Sequence, residues 1–281
     1  MTTTASAHVA GAGSLRLAKY LRAVPLFKKR PPSPSPPPQI PVDPFAGDRD
    51  VKALFDSLQA GDWAGADRAY TALETTERRE FALSLIPWDL RGGPDTVDRW
   101  VEAEPNSVTA HLLRGVHGIG FAWKARGSGW ASTVGADAWP TFFECLRIAE
   151  HELGLAASLA PDDPLPWVFL EITARGLEYD IEERCARFDE VQKRNPQLLF
   201  AHHEMLQNLC AKWSGSDDMM FGFARQITAS SLDGSPLPSL VPMAHFEHWI
   251  SEGRPDGYMR SASPEIVAAA QRSVPSPDLR R

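Results

Sequence analysis

The stretch 123–127, Trp-Lys-Ala-Arg-Gly, combines cationic and aromatic side chains that could bind an anionic group. Lys124 and Arg126 would donate hydrogen bonds to such a group, and Trp123 or Trp130 could stack beside it. A structural interpretation competes with this one, because cations in the last turn of a helix are favoured by its dipole by ~0.3–1 kcal/mol. The sequence leaves both interpretations open.

The histidines are the side chains best suited to bind a metal ion. His202 and His203 are adjacent, so on a helix they point about 100° apart and cannot easily contact one ion. His245 and His248 share one helix face, but a site needs a third ligand, and the sequence does not supply it. We therefore predict no metal and no cofactor, and we keep His202 as a candidate contact for a ligand or partner.

A third polar stretch, 212–216 (Lys-Trp-Ser-Gly-Ser), joins two predicted helices. Ser216 is a suitable N-cap for a helix over residues 217–228. The stretch lacks the glycine spacing of a phosphate-binding loop. We therefore predict a structural turn here and keep Trp213 as a candidate contact residue.

Helices must position these side chains, because apolar residues recur at spacings of three and four along the chain. Two mid-helix glycines, Gly115 and Gly118, cost ~1 kcal/mol each relative to alanine and indicate close helix approach or room for a ligand. A later helix is predicted to bury Ile181, Cys185 and Phe188. The longest apolar face contains Phe142, Leu146, Ala149, Leu153, Ala156 and Ala160.

A repeated pattern groups these helices into pairs. Gly61, Trp63, Ala66 and Tyr70 have the spacing of the turn and second helix of a tetratricopeptide repeat. Helix-ending prolines recur as Pro105, Pro161 and Pro196. The last two are 35 residues apart, against about 34 in that repeat. We therefore predict an all-α, solenoid-like stack of antiparallel helix pairs with degenerate repeats.

One repeat unit carries an insertion, because Pro105 and Pro161 are 56 residues apart, which is 21 more than the next spacing. The insertion falls near residues 127–140, which contain Trp130 and Trp139. Long loops in compact helical domains are more often functional than short ones. The insertion could close a pocket over His117, Trp123 and Arg126. Alternatively, its two tryptophans simply cover the end of the apolar face.

Charge and composition exclude some classes of function. The chain carries −7, but residues 1–44 hold six cations against one carboxylate, so this segment is +5 and the rest is −12. An acidic body argues against a nucleic-acid partner, since such binding depends on phosphate neutralisation. No stretch reaches the ~20 apolar residues of a membrane span. Three cysteines without paired spacing indicate reduced thiols and a cytoplasmic location.

The composition also predicts the domain organisation. Residues 1–44, basic and proline-rich, are expected to form a disordered tail, and residues 45–252 a helical repeat domain. Residues 253–281 contain several prolines, and we expect this segment to be largely irregular.

Three stretches together resemble a known family. They are 122–127 (Ala-Trp-Lys-Ala-Arg-Gly), 160–164 (Ala-Pro-Asp-Asp-Pro) with Trp167, and 212–216 followed by Met220, Phe223 and Ala224. The combination resembles bacterial tetratricopeptide-like proteins that carry a domain of unknown function, over roughly residues 50–230. The resemblance implies an α-helical repeat fold in a bacterial cytosol. It implies no activity, because that family has no assigned reaction.

The leading functional prediction is an interaction module that presents a concave groove to a protein or peptide partner. The alternative is an enzyme or small-ligand binder, in a bacterial biosynthetic pathway, whose pocket is closed by the 127–140 insertion. The candidate contact residues for either function are His117, Trp123, Lys124, Arg126, Trp130, Trp139, His202 and Trp213.

Overall fold

The computed structural model describes residues 43–89, 94–127, 129 and 133–274. These residues contain twelve α-helices and no β-strand. The predicted all-α class is confirmed for these residues, while their arrangement as a solenoid-like repeat stack stays a prediction. No helix in the same ranges is long and apolar enough to cross a membrane. The helices are α1 (Arg49–Ala60), α2 (Trp63–Thr71), α3 (Thr76–Asp89), α4 (Pro94–Ala103), α5 (Val108–Arg126), α6 (Ala138–Leu159), α7 (Leu165–Gly176), α8 (Ile181–Arg194), α9 (Leu199–Asn208), α10 (Asp217–Ser230), α11 (Leu240–Ser251) and α12 (Tyr258–Arg272).

The first two helices form an antiparallel hairpin for local reasons. Asp48 caps α1, because its side chain accepts hydrogen bonds from two first-turn backbone N–H groups. Gly61 then reverses the chain with a φ of 68°, which glycine adopts without strain. Ala66 and Tyr70 on α2 are buried against α1. The turn predicted at Gly61 is therefore confirmed.

The two long helices α5 and α6 form the centre of the packing. A Cβ atom on Gly115 would lie 2.6 Å from Leu153 Cγ, and one on Gly118 would lie 3.2 Å from Ala149 Cβ. Leu153 is completely buried. The mid-helix glycines are thus explained by close helix approach, which is one of the two reasons that the sequence indicated.

Helix α8 buries a different face from the one predicted. Ile181 and Cys185 are only partly buried, whereas Arg184 and Arg187 are buried beside Phe188. Arg187 can be buried because its guanidinium pairs with carboxylates on two helices and donates to a main-chain carbonyl. The apolar spacing located the helix, but the choice of face depended on these polar partners.

The expectation of a largely irregular segment after residue 252 is wrong. Helix α12 lies in this segment and belongs to the same compact unit as the preceding helices. Ala262 and Ala269 are buried on it, and Tyr258 shares a hydrogen bond of 2.7 Å with His245 of α11. These contacts offset the cost of Pro264 inside the helix, about 3 kcal/mol in an isolated helix. Residues 275–281 lie outside the described ranges, as does the predicted tail up to residue 42.

Candidate functional site

A pocket of about 470 Å³ lies where the ends of several helices meet. The ends of α5 and α7, the starts of α6 and α8, and the turn after α9 all contribute to it. Its volume is within the ~300–1,000 Å³ that small-molecule sites occupy. The lining side chains that matter below are Arg126, Trp139, Phe142, Arg175, Glu178, Tyr179, Asp180, Arg184, Lys212 and Trp213.

The turn after α9 holds one wall of the pocket. A Cβ atom on Gly215 would overlap the carbonyl of Leu209, so only glycine fits there. Ser214 has a φ of 70°, and the Ser216 hydroxyl accepts a hydrogen bond of 3.1 Å from the first turn of α10. The structural turn predicted for 212–216 is confirmed. It fixes Trp213 at the edge of the pocket.

Arg184 is the most unusual charged group of the pocket. It is only 5% exposed, and its Nη1 donates to the main-chain carbonyls of Trp213 at 2.6 Å and Asn208 at 3.3 Å. Its Nε is buried without a hydrogen-bond partner, and no carboxylate of the described residues pairs with it. Burial lowers the pKa of this guanidinium and the nearby Arg175 lowers it further, while Asp180 and Glu178 raise it. A buried cation without a counter-ion is costly, so an anion here would be stabilised.

Two other cations of the pocket already have counter-ions. Arg175 Nη2 lies 2.7 Å from Glu204 Oε2, and both side chains are buried. Lys212 Nζ lies 2.6 Å from Glu247 Oε2. Their charges are largely balanced, which leaves Arg184 and Arg126 as the cations most open to a ligand.

Arg126 is surrounded by three tryptophans. Its guanidinium carbon lies 5.4 Å from the ring centroid of Trp123, 5.5 Å from that of Trp139 and 5.9 Å from that of Trp213. Cation–π contacts of this kind are worth about 0.5–2 kcal/mol depending on burial. Nη1 donates to two carbonyls of the following loop, at 3.2 and 3.1 Å. The rings therefore hold the guanidinium at the pocket wall.

The structure thus brings together four of the eight predicted contact residues, Trp123, Arg126, Trp139 and Trp213. Trp123 contacts Trp213 edge to face, with ring centroids 5.6 Å apart. Trp139 lies in the first turn of α6 rather than in a loop, because that helix begins at Ala138. It contacts Phe142 edge to face, as the packing interpretation of the insertion expected.

Three of the other predicted residues, His117, Lys124 and His202, do not line the pocket. His117 is partly buried on α5, where burial lowers its pKa, and Lys124 is exposed on the same helix. His202 is buried on α9. Its Nδ1 lies 2.9 Å from the carbonyl oxygen of Leu198, and its ring contacts that of Phe188 edge to face. These contacts explain His202 as a packing residue. Trp130 lies outside the described residues.

Sequence reasoning missed the arginines of α7 and α8. Arg184 belongs to a stripe with Arg187, Phe188 and Val191, at offsets of three, four and seven, and all four residues are buried. This is the spacing of a core-facing helix surface. A cation at such a position indicates a buried charge, and that signal could have identified Arg184.

A separate cluster has the donor groups of a metal site. Ligand atoms of Asp217, His248 and Glu252 lie within 4.8 Å of one another and could bind a divalent cation. The hydrogen bond of 2.6 Å between His248 Nδ1 and Asp217 Oδ2 already explains the closest pair. His245, which the sequence paired with His248, is instead bonded to Tyr258 and Glu265.

No family model matches the chain, and comparison with curated proteins and with solved structures also finds no match. The chemistry of the pocket is therefore the basis for assigning a function. Membership of the tetratricopeptide-like family stays a prediction.

Proposed function

We propose that this protein binds a small organic anion in the pocket lined by Arg126, Trp139, Arg184 and Trp213. The observation that carries the proposal is Arg184, a buried guanidinium that lines the pocket, donates only to main-chain carbonyls and has no carboxylate partner among the described residues. A carboxylate of the ligand would supply the counter-charge, and hydrogen bonds between arginine and carboxylate are among the strongest in proteins.

The aromatic wall supports an organic ligand rather than an inorganic ion. Trp139 and Trp213 present ring surfaces to the same pocket as the guanidinium groups, and the buried Phe142 packs against Trp139. Such rings bury apolar area of a ligand, while the cations fix its orientation. Binding is proposed rather than a reaction, because arginine and tryptophan bind and stack, and the one lysine is paired with Glu247.

This function corresponds to the small-ligand alternative of the sequence analysis. The partner-binding module that the repeat pattern indicates stays a second prediction. The two functions are separated by whether the isolated protein binds small anions.

The test is calorimetric titration of the protein with 3-phenylpropionate and phenyl phosphate. We expect Arg184→Met to weaken binding about 10- to 100-fold, because a hydrogen bond to a charged group contributes about 1.5–3 kcal/mol. Arg147→Met is the control, since Arg147 lies exposed on α6, outside the pocket, and forms an ion pair with Glu144. Arg126→Ala serves as a second variant should Arg184→Met fold poorly.

Binding of neither compound to the native protein would contradict the proposal and make the partner-binding module the leading candidate. Equal weakening by Arg184→Met and Arg147→Met would also contradict it, because the effect would then not come from the pocket. Thermal unfolding of each variant shows whether a lost affinity reflects a lost fold.

A further inference from the structure

The charges of the pocket are arranged in two layers. Arg175 and Arg184 are 8% and 5% exposed, so the cations lie deep. Glu178 and Asp180 line the same pocket but are exposed, so the carboxylates lie at its mouth. A ligand that enters this pocket therefore contacts negative charge outside and positive charge inside.

The carboxylates at the mouth keep free acceptor oxygens. Asp180 caps α8 with Oδ1, which accepts from the Glu183 N–H at 2.9 Å, and its Oδ2 has no partner within the described ranges. The Glu178 carboxylate likewise has no hydrogen bond or ion pair there. Both carboxylates are close enough to Arg184 to raise its pKa against the effect of burial. They are therefore free to pair with a cationic group of a ligand.

The spacing of the two layers suits a short zwitterion. Asp180 is the N-cap of α8 and Arg184 lies about one helical turn further along, a rise of about 5.4 Å. A molecule with neighbouring ammonium and carboxylate groups can bridge such a pair. A plain anion would leave the outer carboxylates unpaired, and a plain cation would leave Arg184 unpaired.

We propose that the ligand is an α-amino acid with an apolar or aromatic side chain. Its carboxylate would pair with Arg184, its ammonium group with Glu178 and Asp180, and its side chain would pack against Trp139 and Trp213. This inference rests on the proposed binding of an organic anion in the same pocket. It adds the ammonium group as a second recognised feature.

The test compares three compounds with the same phenyl body: L-phenylalanine, 3-phenylpropionate and 2-phenylethylamine. We expect L-phenylalanine to bind about two- to fivefold more tightly than 3-phenylpropionate, because an exposed ion pair contributes up to about 1 kcal/mol. We expect 2-phenylethylamine to bind most weakly, since it leaves the buried guanidinium unpaired.

The outcomes separate the inference from the proposed function. If 3-phenylpropionate binds as tightly as L-phenylalanine, the amino-acid inference is overturned while the anion pocket stands. If 2-phenylethylamine binds most tightly, or if none of the three compounds binds, both proposals are overturned.

A double variant, Glu178→Gln with Asp180→Asn, tests the role of the outer carboxylates. Asparagine caps helices about as well as aspartate, so α8 should keep its first turn. We expect the preference for L-phenylalanine to disappear, while affinity for 3-phenylpropionate is kept or rises, because two negative charges that repel this anion are removed. Glu144→Gln, an exposed carboxylate of α6 outside the pocket, is the control. An unchanged preference in the double variant would overturn the inference.

Discussion

Individual buried charges decide much of the behaviour of this protein. Glu171 is completely buried on α7, and neither of its carboxylate oxygens has a hydrogen-bond partner among the residues that the structure describes. Burial raises its pKa well above the ordinary value, and the nearby Glu204 raises it further. Burial and the same Glu204 raise the pKa of Glu80 to about 7. Both carboxyls therefore hold a proton in the folded protein at pH values where the unfolded chain has lost it.

These shifts predict that the free energy of unfolding falls as the pH rises. An unfolded glutamate has a pKa of about 4.3, so above this pH the folded state binds more protons than the unfolded state. For Glu80 the decrease in the free energy of unfolding accumulates from about pH 4.3 to its folded pKa of about 7. For Glu171 it continues towards its higher folded pKa. Below about pH 6.5, His117 and His202 act in the opposite direction, because burial lowers their pKa values. Urea unfolding at pH 6.5 and pH 8 should therefore show lower stability at pH 8.

The variant Glu171→Met tests the origin of this pH dependence. Methionine removes the buried carboxyl while filling its space, so we expect stabilisation at pH 8 that is larger than the change at pH 5. The control is Glu102→Met, an exposed position on α4. Equal effects of Glu171→Met at both pH values would show that the carboxyl is not the source.

At the scale of elements, the contact between α5 and α6 holds the fold together and also places the pocket. Helix α5 ends at Arg126 and α6 begins one residue before Trp139, so both pocket residues depend on this packing. The contact is close because Gly115 faces Leu153 without a side chain of its own.

Leu153→Ala should lower the free energy of unfolding by ~2–5 kcal/mol, because the residue is fully buried. Gly115→Ala should lower it by about 1–3 kcal/mol, because the new methyl group would overlap Leu153. In the double variant the alanine at 115 can occupy space left by the leucine. We therefore expect the double variant to lose less free energy of unfolding than the sum of the two single losses.

Gly154→Ala is the matched control for this series. A Cβ atom at Gly154 meets nothing within 4 Å, so the substitution should stabilise α6 by about 0.5–1 kcal/mol. Denaturant unfolding of all four variants measures the series. Strict additivity of the Gly115 and Leu153 substitutions would contradict the proposed close contact.

At the scale of the whole molecule, the described helices form one compact unit that begins at Asp43. Its first residues are fixed by specific contacts. The rings of Phe45 and Phe55 have centroids 5.2 Å apart, and Arg78 binds the Asp48 carboxylate at 2.8 Å. Asp48 also caps α1.

Deleting residues 1–42 should leave the unfolding midpoint within about 2 °C of the full chain, whereas deleting residues 1–48 should lower it by several degrees. The longer deletion removes the cap of α1, worth about 1 kcal/mol, together with the Phe45 contact. In a domain of this size 1 kcal/mol corresponds to about 2–4 °C. Thermal unfolding monitored by circular dichroism measures both midpoints. A large decrease in the midpoint after deletion of residues 1–42 would show that these residues stabilise the helical unit.

The sequence alone determined the features that depend on neighbours along the chain. The stripe through Leu153, the turn at Gly61 and the cap at Ser216 follow from residue spacing and backbone preference within one or two helical turns. The all-α class followed from the same local patterns, whereas the packing role of Gly115 was one of two interpretations and was decided by its contact with Leu153 on α6. Helix α12 is the exception, because proline content predicts irregular structure there and tertiary contacts hold a helix through Pro264.

Only the tertiary structure decided the composition of the pocket. Arg126, Trp139, Arg184 and Trp213 come from four different segments, and their meeting depends on how the helix ends are placed by packing between helices. In the sequence Arg184 is one of many cations that would normally be solvated. Its burial without a carboxylate partner in the described part of the chain gives the pocket its chemistry, and it arises only when α7, α9 and the turn at Trp213 close around it. The physical reason is that the solvation of a charge depends on the whole surrounding volume and not on its neighbours in sequence.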